Sequence, residues 1–196
     1  MYKIQNKMEY NKKYFKRKIY DTMLKWKTER NGDTALMIQG ARRIGKSTVA
    51  EEFAKREYKS YILIDFSKVS KEVSDLFNDV SDLNYLFIRL QFIYHEQLHE
   101  RESVIIFDEV QLQPKARQAI KHLVKDHRYD YIETGSLISV RSRSRDILVP
   151  SEETKIDMFP MDYEESDGRW ATVLPFLCCA QPSKRRCRWA TPHTEN

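Results

Sequence analysis

The residues best suited to chemistry lie in one short stretch of the chain. They are Gly40-Ala41-Arg42-Arg43-Ile44-Gly45-Lys46-Ser47-Thr48, which opens with the phosphate-binding pattern G-x-x-x-x-G-K-[ST]. Glycines let the backbone wrap closely around an anion, and amides at the start of a helix point towards it. Lys46 would contact the terminal phosphates of a nucleotide, and the Ser47 hydroxyl would help to hold Mg²⁺. We therefore expect residues 40–48, called the P-loop below, to bind a nucleotide.

The segments on either side of the P-loop match what this pattern requires. Residues 34–38 form an apolar run that predicts a short buried strand, and the apolar spacing of residues 47–55 predicts a helix. A strand, a glycine-containing turn and a helix are the context in which the pattern binds phosphate. The alternative is an ordinary Gly-Lys turn at the start of a helix, and the flanking segments favour the phosphate site.

A pair of acids forms the second candidate for chemistry. The apolar residues 104–107 are typical of a parallel strand buried on both faces, and Asp108 and Glu109 follow directly. Open α/β sheets place their ligand sites at the C-terminal ends of strands. Asp108 would bind the Mg²⁺ shell through water, and Glu109 could orient and deprotonate the water that attacks the γ-phosphate. Alone, the pair would be two solvated turn acids; together with the P-loop, it favours nucleotide hydrolysis.

A third candidate lies at the end of another predicted strand. Residues 129–134 predict this strand, and Thr134-Gly135-Ser136 ends it. In P-loop ATPases with an extra strand between the two Walker strands, a polar residue at this tip contacts the γ-phosphate or its water. Either Thr134 or Ser136 could take that role. A glycine-containing turn with a helix cap is the alternative for each residue.

Composition sets the broad class. The 196 residues suffice for one α/β domain with a real core, and no apolar stretch approaches the length of a membrane span. Nothing at the N-terminus resembles a secretory signal. No cysteine precedes residue 178, so a disulfide framework is absent from the body of the chain. These features predict a cytoplasmic protein.

Positive charge is concentrated at the N-terminus. Residues 1–30 contain ten Lys or Arg against three Asp or Glu, and a shorter basic cluster lies at residues 184–186. Basic segments can follow nucleic-acid phosphates, although a solvated helix face is the commoner explanation. Ile19, Met23 and Trp26 have helical spacing, which favours packing of this helix on the core. The sequence therefore supports a nucleic-acid partner only weakly.

The remaining pattern alternates between helices and strands. Helices are predicted over residues 14–30, 71–77, 83–99 and 114–125, and further strands over residues 61–66 and 156–159. Such alternation predicts an α/β fold, a three-layer sandwich in which helices flank a parallel sheet. We expect residues 1–30 to form a basic N-terminal helix, residues 31–165 the P-loop domain, and residues 166–196 an aberrant or disordered tail.

Four blocks occur in a fixed order along the chain: residues 40–48, Ile106-Phe107-Asp108-Glu109-Val110-Gln111, Thr134-Gly135-Ser136 and Phe159-Pro160-Met161-Asp162-Tyr163-Glu164-Glu165. Together they resemble one family, the bacterial and archaeal AAA-type ATPases that join an N-terminal P-loop domain to a C-terminal domain of unknown function. The likeness covers residues 14–165 and implies ATP rather than GTP as the nucleotide. Family members usually carry an arginine after the strand that ends in Thr-Gly-Ser, for which Arg141, Arg143 and Arg145 are candidates.

Residues 166–196 depart from this family. All three cysteines and two of the three tryptophans lie there, where the second domain of the family should begin. We hypothesise that a frameshift produced the tail. If residues 167–172 were encoded GAT-GGG-CGA-TGG-GCG-ACN, reading from the third base would give Trp-Ala-Met-Gly-Asp, which resembles the family sequence. The alternative is a metal site of Cys178, Cys179, Cys187 and His193, although these lack C-x₂-C spacing.

Three functional classes remain open. The chain could be a Mg²⁺-dependent ATPase that drives a conformational change in a protein partner or in a second copy. It could be a nucleotide-binding remnant without turnover, or a P-loop kinase acting on a small acceptor. The acid pair favours water as the acceptor. A GTPase is disfavoured, because the chain lacks an Asn-Lys-x-Asp motif and Gln111, not glycine, lies three residues after Asp108.

Overall fold

The computed structural model describes residues 17–136, 152–163 and 165. In chain order the elements are α1 (Ile19–Arg30), β1 (Ala35–Gly40), α2 (Lys46–Glu57), β2 (Ser60–Asp65), α3 (Lys71–Leu76), α4 (Leu83–Tyr94), β3 (Ser103–Asp108), α5 (Pro114–Asp126), β4 (Asp130–Ser136) and β5 (Glu153–Met158). A one-turn 3₁₀ helix at Val110–Leu112 separates β3 from α5.

The five strands form one parallel sheet in the order β2-β3-β4-β1-β5. β4 thus lies between β1, which leads into the P-loop, and β3, which ends in Asp108. Helices cover both faces of the sheet, as parallel strands require because neither face of such a sheet is solvated. The predicted α/β three-layer sandwich is confirmed.

Each face of the sheet has its own apolar core. Met23 of α1 and Phe53 of α2 pack with Ile106 on one face. Leu86 of α4 and Ile120 of α5 belong to the core on the other face. Successive strand residues point to opposite faces, so β1, β3 and β4 contribute buried residues to both cores, whereas the edge strand β5 contributes Met158 to one. Burial of Met23 and Trp26 means that α1 packs its apolar side on the domain, as their spacing predicted.

The helix predicted over residues 83–99 is shorter than expected. α4 ends at Tyr94, because His95 takes a left-handed conformation with φ of 53°. The amide of His95 donates to the carbonyl of Gln91, which closes the helix in the usual manner of a left-handed cap. Leu98 is still buried, and it reaches the core from the irregular segment that follows the helix.

A carboxylic acid lies in the middle of a buried strand. Glu133 of β4 is fully buried, and neither of its carboxyl oxygens has a hydrogen-bond partner among the described residues. The nearby Arg117 of α5 instead forms a buried ion pair with Glu153 of β5, at 3.3 Å. Burial, and secondarily the charge of Glu153, raise the pKa of Glu133 to about 8. The Glu133 carboxyl is therefore mostly protonated at neutral pH.

Replacing this acid should stabilise the domain at alkaline pH. The pKa of Glu133 is raised in the folded chain from 4.5 to about 8, so the folded chain binds more protons between these values. The free energy of unfolding therefore falls as pH rises through this window. Glu133→Gln keeps the shape and cannot ionise, and we expect it to raise the free energy of unfolding at pH 8 by about 4 kcal/mol, with little change near pH 4.5.

Urea unfolding followed by circular dichroism at pH 5 and pH 8 measures this difference. Glu102→Gln is a matched control, because Glu102 is exposed and pairs with Lys59 at the surface. An equal effect of Glu133→Gln at both pH values would contradict the raised pKa.

Candidate functional site

The P-loop connects β1 to α2 through a backbone with two left-handed residues. Arg43 has φ of 62° and Gly45 has φ of 91°, and α2 begins at Lys46. Alternation of right-handed and left-handed residues turns successive N–H groups to the same side, which makes a concave site for an anion. The start of α2 adds its own unpaired amides to this site.

Gly40 is required for close packing at the end of β1. A Cβ atom at this position would lie 2.2 Å from the carbonyl oxygen of Met158 and 2.7 Å from Cδ1 of Ile44. The first is a contact with backbone, which cannot move away as the end of a flexible side chain can. Gly40 thus allows β1, β5 and the P-loop to approach one another.

Lys46 lies across the P-loop. Its side chain is almost fully buried, and Nζ donates to the carbonyl oxygens of Ala41 at 2.7 Å and Gly40 at 3.3 Å. Burial lowers the pKa of Lys46, and the negative charges of Glu109 and Asp108 oppose that shift. The amine therefore lies within the field of both acids, next to the concave amides.

Ala41, Arg42, Arg43 and Thr48 lie at the exposed surface of the P-loop and of the first turn of α2.

Three separately predicted motifs converge on Asp108. Ser47 Oγ donates to Asp108 Oδ1 at 2.6 Å, and the Thr134 hydroxyl donates to the same oxygen. These contacts place a hydroxyl and a carboxylate side by side at the C-terminal edge of the sheet. Mg²⁺ prefers oxygen ligands, and in nucleotide sites it takes one or two from protein and the others from phosphate and water. The donor set of Ser47 and Asp108 fits this ion.

Glu109 is held in an unusual backbone conformation at the end of β3. Its φ is 54°, which is sparsely populated for residues other than glycine and often marks a functional position. Its amide donates to Thr134 Oγ1 at 3.2 Å, and its carboxylate accepts a hydrogen bond from the side-chain amide of Gln111. Gln111 is buried and orients the acid, a role that no spacing rule identified.

The two candidates at the tip of β4 have different neighbours. Thr134 contacts Asp108 and the amide of Glu109, whereas Ser136 pairs in register with Gly40 at the start of the P-loop. Both are buried. Thr134 thus connects the two acids, and Ser136 lies beside the phosphate loop.

Some sequence predictions concern parts of the chain outside the described residues. These are the arginine candidates Arg141, Arg143 and Arg145, and the cysteines and histidine of the tail. Within the described ranges, no helix combines the length and apolar character needed to cross a membrane.

Comparison with known proteins gives a family match over most of the chain and a similar solved structure. A family model described as an AAA domain matches residues 32–166. Among solved structures, PCH-2 from C. elegans is similar, with 12% identity and a TM-score of 0.40. That alignment covers 79% of this chain and 42% of PCH-2, so the chain spans less than half the length of that protein. No curated protein matches the chain.

Proposed function

The chain belongs to the AAA domain family, and from this premise we propose that it binds ATP with Mg²⁺ and hydrolyses it by attack of water on the γ-phosphate. The observation that carries the proposal is one hydrogen-bonded series. It runs from Ser47 through Asp108 and Thr134 to the backbone of Glu109. A P-loop hydroxyl and two acids at a strand end are the parts that phosphoryl transfer to water requires.

Binding would depend first on the P-loop. Its converging amides would hold the β- and γ-phosphate oxygens, and Lys46 would exchange its two carbonyl contacts for phosphate oxygens. Ser47 and Asp108 would hold Mg²⁺, which neutralises the charge that develops on the transferring phosphate. Because both groups already lie within hydrogen-bond distance of each other, little rearrangement is needed to form this site.

Glu109 would act on the attacking water. Its carboxylate lies beside the P-loop, close enough to Lys46 that its charge acts on the pKa of that amine. A carboxylate in this position accepts a proton from water as the oxygen attacks phosphorus, and it holds the water in line with the leaving group. The amide of Gln111 would fix the carboxylate orientation, and Thr134 would fix the backbone. An acid in this place favours water over a small molecule as the acceptor of the phosphoryl group. It therefore favours an ATPase over a kinase.

The assignment can be tested by calorimetric titration of the full chain with ATP and GTP, with and without MgCl₂. We expect ATP to bind more tightly than GTP, as the resemblance to AAA-type ATPases implies. We also expect Mg²⁺ to tighten ATP binding by about tenfold, because the site supplies both an alcohol and a carboxylate oxygen. Phosphate release from Mg-ATP separates the ATPase from a nucleotide-binding remnant. If ATP binds neither with nor without MgCl₂, the proposal is wrong.

A further inference from the structure

One buried arginine joins three distant parts of the chain. Arg17, which precedes α1, donates from Nη1 to the carbonyl oxygen of Ile44 at 3.0 Å and from Nη2 to that of Phe159 at 2.8 Å. Its Nε lies 3.3 Å from a carboxylate oxygen of Glu165, and both side chains are more than nine-tenths buried. The start of the domain, the P-loop and the segment after β5 therefore share one guanidinium group.

The contact with Ile44 bears directly on phosphate binding. A peptide unit is planar, and its C=O and N–H point in opposite directions. Because Arg17 holds the carbonyl of Ile44, it also directs the amide of Gly45 to the other side. Gly45 is one of the two left-handed residues of the P-loop, so this peptide belongs to the concave amide site. Arg17 thus stabilises the loop conformation that would receive an anion.

Glu165 in turn holds Arg17. Besides the ion pair, its carboxylate accepts hydrogen bonds from the amides of Lys18 at 2.7 Å and Asp162 at 3.2 Å. The amide of Glu165 donates back to the Asp162 carboxylate at 2.9 Å. Asp162 and Glu165, which the phosphate chemistry itself does not use, thus form a closed pair of hydrogen bonds. Arg17 contacts this pair through Nε and the P-loop through Nη1.

We propose that Arg17 is a positioning residue for the P-loop, and that the segment after β5, through Phe159, Asp162 and Glu165, controls nucleotide affinity through it. The inference rests on the proposed function, since it takes the P-loop as a nucleotide site. If Glu165 moved, the hydrogen bond from Arg17 to the carbonyl of Ile44 would change. The direction of the Gly45 amide, which belongs to the same peptide unit, would then change with it. Conversely, phosphate binding at this amide would stabilise the turn after β5.

The test compares Arg17→Ala with the unchanged chain for binding of ATP and of inorganic tripolyphosphate, each with Mg²⁺, by calorimetry. Tripolyphosphate isolates the P-loop from any contact with the base or ribose. We expect both ligands to bind Arg17→Ala about tenfold more weakly, because the loop must be ordered on binding. Lys18→Ala is the matched control: Lys18 bonds to the same turn through Asp162, but its ion pair is exposed. Its affinity should stay within about twofold.

Two further variants preserve the test if Arg17→Ala unfolds. Glu165→Gln leaves the arginine in place and removes only the partner charge, and we expect about threefold weaker binding of both ligands. Arg17→Lys keeps the positive charge but cannot make both carbonyl contacts, so it should not restore wild-type affinity. Folding of every variant is checked by thermal unfolding. In the double variant of Arg17→Ala and Glu165→Gln, the loss of ligand affinity should be smaller than the two single losses combined.

The outcomes are distinguishable. If a folded Arg17→Ala binds both ligands as tightly as the unchanged chain, the inference is wrong and the proposed function stands. If only ATP binding weakens, Arg17 contacts the nucleoside directly and is not a positioning residue. If the unchanged chain binds neither ligand, the proposed function fails, and the inference with it.

Discussion

Glu109→Gln is expected to bind Mg-ATP as tightly as the unchanged chain and to release phosphate at least about 100-fold more slowly, the usual effect of losing a positioned general base. The amide has nearly the same shape as the carboxylate, so the contact with Gln111 can persist after a rotation of the side chain. It cannot accept the proton of the attacking water. Steady-state phosphate release and equilibrium ATP binding, measured on the same preparation, separate the two effects.

The matched control is Glu72→Gln, which makes the same chemical change in an exposed acid paired with Arg89. It should leave both binding and release unchanged. If Glu109→Gln hydrolyses ATP at the wild-type rate, another group activates the water. If it loses ATP binding instead, Glu109 supports the structure of the site and not its chemistry, and the assignment of Glu109 as base is wrong.

Local patterns in the sequence were sufficient to select the residues of the candidate site and the elements that carry them. The glycine and lysine spacing of the P-loop and the apolar run before Asp108 each determine a local structure. The edge at which parallel strands end then brings these structures together. Ser47 and Thr134 accordingly both contact Asp108, and their roles in binding and hydrolysis stay predictions.

Contacts between distant segments could not be predicted in the same way. Arg17 and Ile44 are bonded across 27 positions of sequence, and no spacing rule relates an arginine before a helix to a carbonyl in a later loop. At Glu133 the local sequence pattern is misleading. A charged residue within a strand normally indicates a solvated face, yet β4 is central and covered on both sides. Only the position of the strand in the sheet reveals that this acid is buried.

The end of α4 illustrates a related limit. Residues 95–99 continue the helical spacing, and Leu98 is buried as that spacing predicts. The chain nevertheless leaves the helix at His95, whose left-handed conformation is uncommon outside glycine and asparagine. The helical preference that is given up is worth only tenths of a kcal/mol per residue, and the amide of Leu98 finds another acceptor in Gln91 Oε1 at 2.9 Å.

Lys46→Ala is expected to weaken ATP binding by at least about 100-fold, because two effects of the substitution act in the same direction. The variant loses the charged contact with the terminal phosphates, a bond of about 1.5–3 kcal/mol. It also leaves Asp108 and Glu109 without the neighbouring cation, so that their charges repel the nucleotide. The fold should tolerate the change, because burial of the amine is compensated by only two contacts with carbonyl oxygens.

Fluorescence titration with a labelled ATP analogue, alongside thermal unfolding, measures affinity and stability together. Lys55→Ala is the matched control on the same helix, since Lys55 pairs with Glu51 at the surface. It should bind ATP normally. Wild-type affinity in a folded Lys46→Ala would mean that the nucleotide binds elsewhere on the domain, and the chemistry proposed for the P-loop would then have no ligand to act on.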